Sequence, residues 1–303
     1  MIRKTEMTSP RLSLFSIIRW QVSRVFAKKT DNRSFLKVIK QDKIEPNSAI
    51  WLGHASLWVD VGSTKILIDP ILESIPFYKR QTNLPIQKDS LTVDIILITH
   101  AHYDHFDLPS IKFLIKENPN VKIIAPIGFE RYLGKHSSNL IELEWWQNIT
   151  IKNIEIIFVP SLHWSNRVMT DMNKALWGGF IVRNEEYSLY HSGDTAYGEH
   201  FKEIGDRFDI LDAFLPIGAY KPEYIMKRNH INPQEALVSC EDLLAKKLIP
   251  IHYGTFKLSD EGICEPLEWL RELLLEREYP FATKVANIGE VIYLTSISTL
   301  KST

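Results

Sequence analysis

Apolar and polar positions in this chain alternate in short runs, and most of the runs end in a polar, loop-forming residue. The stretch from Ala49, "AIWLGHASLWVDVGSTKILIDPIL", predicts two strands joined by a turn at Gly62 and Ser63. "VDIILITHAHYDH" predicts a buried strand that stops in a loop, "SIKFLIKEN" a short helix and "VKIIAP" the next strand. Long alternation through "NITIKNIEIIFVPSLHW" predicts a hairpin ending in a loop at His163. "LWGGFIVRNEEYSLYHSGDT" predicts another, turning at Asn184, Glu185 and Glu186, and "DILDAFLPIGAY" a buried strand. Asn232 as a cap, Pro233 in the first turn and Glu235 completing a capping box predict a helix running to about Lys247. "IPIHYGTF" then predicts a strand and loop, "EPLEWLRELLLERE" a helix started by Pro266, and "EVIYLTSI" a closing strand. Strands dominate the first half and mix with helices in the second. That order fits an α+β fold with two sheets inside and helices outside, as one domain over residues 46–303.

Residues 1–45 differ in character. Residues 1–43 hold 11 Lys/Arg against 3 Asp/Glu, although the whole chain of 303 residues has a formal net charge of -1. Leu14, Ile17, Ile18, Val22 and Val25 fall at helical spacing, interrupted by Arg11, Arg19, Arg24, Lys28 and Lys29. No membrane-spanning run of roughly 20 apolar residues results, and the arginines break any secretory apolar core. The arm reads as an amphipathic helix packed on the domain or, alternatively, as a helix lying on an anionic membrane surface. With 45% hydrophobic and 24% charged residues the body is an ordinary globular chain. Cys240 and Cys264 are the only cysteines. That excludes a disulfide framework and favours a reducing, cytoplasmic location, with the arm offering peripheral contact on the inner face of a membrane. Nothing in the chain sets an oligomeric state.

The chemistry concentrates in "HAHYDH", residues 100–105. His100, His102, Asp104 and His105 place four ligand-type side chains in six residues behind a buried strand. Burying such groups is costly unless each is paired or bound to a cation. One short loop of this kind can feed two ions, and imidazole with carboxylate suits zinc, with iron or manganese as alternatives. Three further candidates lie just past apolar runs: His163 after "IIFVPSL", Asp194 in "HSGDT" and His252 after "LIPI". A lone histidine is more often a hydrogen-bonded structural residue; together these complete a set of seven.

"THAHYDH", a distant His, "GDT" and a later His resemble the metallo-β-lactamase superfamily. Five blocks narrow the resemblance to the N-acylphosphatidylethanolamine-hydrolysing phospholipase D branch: "WLGHASLWVDVGSTKILIDPI", "FVPSLHWSNRVMTDMNKALWGGF", "YHSGDTAYGEHFKEIGDRF", "PIGAYKPEYIMKRNHINPQEA" and "IPIHYGTFKLSDE". The resemblance implies a four-layer αββα sandwich with a binuclear zinc site at the sheet edge. It implies that His100, His102 and His163 hold one zinc, that Asp104, His105 and His252 hold the other, and that Asp194 bridges them. It also implies cleavage of a phosphodiester, releasing phosphatidic acid and an N-acylethanolamine. Two ions roughly 3.5–4 Å apart lower the pKa of a water between them, so a metal-bridging hydroxide is the expected nucleophile. Asp104, Asp194 and His230 are the expected catalytic residues, with His230 contacting the phosphate or protonating the leaving group. His54 and Asp69 match family positions and are expected to orient ligands, while Trp177, Tyr220 and Lys221 are expected to line the pocket. His136, His191 and His200 are taken as surface or structural residues. The segment "ESIPFYKRQTNLPI" departs from the family pattern and is expected to shape substrate entry.

The substrate expected is therefore a phospholipid or another phosphodiester. Two alternatives stand beside it: a lactonase or other ester hydrolase acting on a small phosphorylated metabolite, and a non-enzymatic metal-binding sensor. An intact set of seven ligands weighs against the sensor. A nucleic-acid substrate is disfavoured, because outside the arm the chain is acidic, with no basic patch to track a phosphate backbone.

Overall fold

The structure is a computed structural model that describes residues 7–8 and 37–301. The arm helix expected over residues 14–25 lies outside the described residues. In chain order the elements are β1 (Ser48–Gly53), β2 (Ser56–Val61), β3 (Thr64–Ile68), β4 (Ile95–Leu97), α1 (Leu108–Glu117), β5 (Lys122–Pro126), α2 (Glu130–Leu133), β6 (Leu140–Leu143), β7 (Asn148–Ile151), β8 (Ile154–Val159), β9 (Gly179–Arg183), β10 (Ser188–His191), α3 (His200–Arg207), β11 (Asp212–Pro216), α4 (Glu223–Met226), α5 (Pro233–Asp242), β12 (Lys247–Ile251), α6 (Glu265–Glu276), β13 (Ala282–Thr283), β14 (Val291–Tyr293) and α7 (Ile297–Leu300).

Among the described residues the strands form two seven-stranded sheets, ordered β14-β1-β2-β3-β4-β5-β6 and β13-β12-β11-β10-β9-β8-β7. Side-chain alternation decides the layering. From the first sheet Trp51, Leu57, Val59, Ile66 and Leu97 face inward and meet Phe158, Phe180 and Phe214 of the second. Their strand neighbours Ile50, Leu52, Trp58, Leu67 and Ile96 face outward and are covered by Ile111 and Leu114 of α1. On the second sheet α5 packs against β11 and β12 and against α3 and α6. The result is a four-layer αββα sandwich. Both faces of each sheet are covered, which is why β1, β2, β4 and β11 are buried along their whole length.

Two local features differ from the sequence expectation. The stretch expected as one strand before Gly62 is two, β1 and β2, reversed by a tight turn at Gly53 and His54 with φ of 102° and 54°. A Cβ at Gly53 would come within 2.7 Å of the Arg80 and Thr255 side chains, so the turn needs glycine there. The helix α5 ends at Asp242 rather than near Lys247. Leu244 takes φ 54° and Ala245 N–H reaches back to Cys240 O at 3.2 Å, a left-handed helix stop without the usual glycine. Residues from 247 then join the sheet as β12. Cys240 and Cys264 are both buried.

Topology puts the site on one edge. β3, β4, β5 and β6 are mutually parallel, as are β10, β11, β12 and β13, and β8 runs in the sense of β10 through antiparallel β9. The carboxyl ends of β3, β4, β8, β10, β11 and β12 therefore open together, the end of a parallel sheet where ligands collect.

Candidate metal centre

The loop after β4 is held before it offers any ligand. Asp69 follows β3 with φ 44°, and its N–H donates to Leu97 O at 2.9 Å. Its carboxylate accepts from Thr99 N–H at 2.8 Å and Thr99 Oγ1 at 2.6 Å, and lies 2.7 Å from His105 Nδ1. That leaves His105 Nε2 pointing away from Asp69, the carboxylate-orients-histidine arrangement of many metal sites. Thr99 Oγ1 is also 3.0 Å from His100 Nδ1, so the same hydroxyl fixes a second imidazole. His105 and Phe106 N–H groups turn back onto His102 O, and Asp107 ends the loop by capping α1 through Ser110 N–H at 3.0 Å.

Two sets of ligand atoms converge here. Those of His100, His102, His163 and Asp194 all lie within 4.8 Å of one another, and so do those of His54, Asp104, His105 and His252. Asp194 joins the sets, with Oδ2 3.1 Å from His105 Nε2 and Oδ1 3.0 Å from His252 Nε2. In the first set His102 Nδ1 is 2.9 Å from His100 Nε2 and 3.2 Å from His163 Nε2. In the second, His54 Nε2 is 3.0 Å from Asp104 Oδ2, which places His54 at ligand distance as well as in the orienting position expected for it. His230 Nδ1 stands 3.7 Å from Asp194 Oδ2.

Backbone geometry aims the later ligands. Gly193, with φ 61°, lets the chain pass close to Gly178 O and present Asp194; a Cβ there would approach that oxygen to 2.7 Å. His252 has φ 64° and donates its N–H to His54 O at 2.9 Å. His163 Nδ1 is 3.0 Å from Asn229 O, leaving Nε2 for the cluster, and its N–H donates to Met7 O at 3.2 Å.

Electrostatics at the centre suit a cation. Burial pushes His100 and His163 well below the ordinary imidazole value and His102 to about 4, so these rings stay neutral with a lone pair free. Burial alone would raise Asp194, but His105, His252 and His230 outweigh it and hold the carboxyl well below its usual range. Burial opposes the charged form of His105 as well; Asp194, Asp104 and Asp69 overcome it and raise that imidazole well above its usual value. Asp194 Oδ1, His105 Nε2 and His252 Nε2 are buried without a hydrogen-bond partner. Asp194 Oδ1 lies 3.0 Å from His252 Nε2, and His105 Nε2 lies 3.1 Å from Asp194 Oδ2; buried polar atoms left in this state are costly unless a cation satisfies them. The donor set of imidazoles and two carboxylates fits divalent zinc, iron or manganese.

A cavity of about 430 Å³ opens beside the centre. Its wall combines His102, Asp104, His163, Asp194 and His230 with Ile75, Phe77, Trp164, Ile225, Met226 and Leu258. The divergent segment 73–86 thus supplies part of the wall, and Phe77 stands fully exposed at its tip. Trp164 and Met226 went unremarked in the sequence, though Trp164 adjoins His163. Trp177 does not line this cavity, contrary to expectation. It is fully buried, its indole N–H donates to Ser161 O at 3.0 Å, and its ring packs on Trp145; a large aromatic next to the glycine pair 178–179 fills core instead. Tyr220 and Lys221 line a separate cavity of about 520 Å³ that shares only His230 with the first. His191 and His200 are structural rather than surface residues: His191 is bonded at Ala55 O and Gly193 N–H, and His200 at Thr195 Oγ1.

Comparison with known proteins adds relatives to this geometry. Residues 64–253 match the family described as "Beta-lactamase superfamily domain". An N-acyl-phosphatidylethanolamine-hydrolyzing phospholipase D 1 from Caenorhabditis elegans is 34% identical over 250 residues, covering 76% of this chain and 70% of the relative. A mitochondrial enzyme of that name from Saccharomyces cerevisiae is 37% identical, covering 75% of this chain; the chain spans about half, 51%, of that relative. A UPF0173 metal-dependent hydrolase from Methanopyrus kandleri is 30% identical, covering 74% of this chain and 90% of the relative. Among solved structures, Igni18, a metallo hydrolase from Ignicoccus hospitalis, matches the fold with a TM-score of 0.63 at 22% identity, over 81% of this chain and 97% of that one.

Proposed function

The chain belongs to the beta-lactamase superfamily, in the branch of the N-acyl-phosphatidylethanolamine-hydrolysing phospholipases D, and from that membership we propose a binuclear, zinc-dependent phosphodiesterase of phospholipase D type. Its substrate is N-acylphosphatidylethanolamine or a related amphiphile. The observation that carries this reading is the juxtaposition of two ligand clusters joined through Asp194 with a cavity walled by Phe77, Trp164, Ile225 and Met226. A small phosphorylated lactone would not need such an apolar wall; an acyl chain would.

In this reading His100, His102 and His163 would hold one ion and Asp104, His105 and His252 the other, with Asp194 within reach of both sets. A pair of divalent ions supplies a lowered water pKa and a clamp for a phosphodiester. The chain's own groups do the rest. Asp69 and Thr99 lock the His105 and His100 tautomers, and His54 steadies Asp104. His230 faces the cavity mostly buried, and burial holds it at about 4, so it meets the substrate as a neutral donor. In that form its ring N–H donates a hydrogen bond to the phosphate or the leaving oxygen, and the proton the leaving alkoxide takes up is the one the attacking water gives up.

The test is turnover by the purified, metal-loaded protein on vesicles containing N-acylphosphatidylethanolamine, beside a generic phosphodiester and a lactone, with and without a chelator. Chelator-sensitive release of phosphatidic acid and N-acylethanolamine is expected. His230→Ala should retain its metal and lose on the order of 100-fold in turnover. Absence of phosphodiester cleavage by the loaded protein overturns the reading, and lactone opening in its place identifies the alternative.

A further inference from the structure

Residues 164–174 leave His163, cross the ligand loop and return to the core at Ala175. This strap has its own frame. Asp171 Oδ1 accepts the Arg167 and Val168 N–H groups at 2.9 and 3.0 Å, Tyr132 OH donates to Asp171 Oδ2 at 3.0 Å, and Ser165 N–H donates to Asn173 Oδ1 at 3.1 Å. Two side chains hydrogen-bond from the strap to the ligand loop. Ser165 Oγ accepts the Ala101 N–H at 3.1 Å. Arg167 Nη1 donates to Ala101 O at 3.1 Å and also to Phe106 O. Those two carbonyls belong to the residues on either side of His102, Tyr103, Asp104 and His105. The guanidinium also lies over two aromatic rings, 4.0 Å from the Tyr103 ring centroid and 4.7 Å from that of Phe106.

We propose that Arg167 is a positioning residue for the metal centre: it closes the ligand loop from Ala101 to Phe106 and couples that loop to the strap carrying His163. Asp171 and Ser165 serve the same end, one by shaping the strap and the other by catching Ala101. A planar guanidinium stacks on aromatic faces while its fork of donors reaches several acceptors, and an ammonium does neither well. Arg167 therefore acts on metal binding through the geometry of His102, Asp104 and His105. Tyr103, stacked on the guanidinium and lining the cavity, ties that geometry to the substrate side.

The inference rests on the centre binding metal, and the experiment separates the two. Zinc is competed from wild type, Arg167→Lys and Arg167→Ala by a chromophoric chelator, and cobalt(II) absorption is recorded for each. Wild type should bind zinc tightly, and both variants should bind it ~10–100-fold more weakly, as when a group supporting a ligand is lost. Their cobalt spectra should be altered, and millimolar guanidinium should partly restore Arg167→Ala. Where Arg167→Ala does not fold, Asp171→Asn keeps the guanidinium but loosens the strap, and should weaken zinc binding in the same direction. A wild type that takes up no zinc defeats the reading of the site itself. A wild type that binds beside variants of equal affinity and unchanged spectra overturns the role of Arg167, even if those variants melt earlier.

Discussion

His200 shows how a single buried residue sets a pH limit on this protein. It is fully buried, with Nε2 3.0 Å from Thr195 Oγ1 and Nδ1 without a partner. Burial pushes it from 6.5 to about 3. The folded value lies below the unfolded one, so the unfolded chain takes up the proton first as pH falls. The contribution of His200 to stability is complete above pH 6.5 and is lost progressively from there toward pH 3. One such site changes stability by about 1.4 kcal/mol per pH unit across that window. Urea unfolding at about pH 7 and pH 5 should show wild type losing roughly 2 kcal/mol more than His200→Gln; equal losses would sink the idea. Legibility at this scale was uneven. The seven side chains that cluster here could be picked out as candidates because each combines a ligand-type group with a place at or just past an apolar run. Burial could not be read: His191, His200 and Trp177 carry no local signal that separates a core residue from a surface or pocket residue, because burial is decided by what packs from elsewhere.

Among the elements, starts were easier to read than stops. The start of α5 carries its full chemistry, with Asn232 Oδ1 accepting from Glu235 N–H at 2.9 Å and Glu235 reaching back to Asn232 N–H at 3.1 Å. Its end has no glycine, since Leu244 occupies the left-handed position with a 63% exposed side chain. A non-glycine residue there costs roughly 1–2 kcal/mol, partly offset by the greater chain entropy of an unfolded glycine. Leu244→Gly should therefore raise the free energy of unfolding by about 0.5–1 kcal/mol, measured by chemical denaturation, and a loss of stability would show that Leu244 packs more than its exposure implies. The turn between β1 and β2 was missed for a related reason. His54 holds a position where asparagine or a second glycine would have been recognised, and the conformation that hides the turn also brings His54 to Asp104.

At the scale of the whole molecule, the contact between the two sheets is the main support for the site edge. Phe158 and Phe180 meet across neighbouring strands at 5.0 Å between ring centroids, and both are fully buried. Phe158 also lies against Gly178, where a Cβ would come within 2.7 Å of its ring, so the space is closely filled. Phe158→Ala should lower stability by about 3–5 kcal/mol, read as an earlier denaturation midpoint, because a cavity in a packed core adds to the lost transfer energy. Among the described residues no helix is long and apolar enough to cross a membrane. The sequence by itself determined the kinds of element, the layered α+β class and the inventory of metal-type ligands, because periodicity, capping and side-chain chemistry act over a few neighbouring residues. Only the tertiary structure decided which ligands meet, that His54 stands among them, that Trp177 turns away, and that residues 75–77, 164, 225–226 and 258 share one cavity wall. Those outcomes depend on parallel pairing and sheet-to-sheet packing between segments 50 to 200 positions apart, a range over which local propensity carries no information.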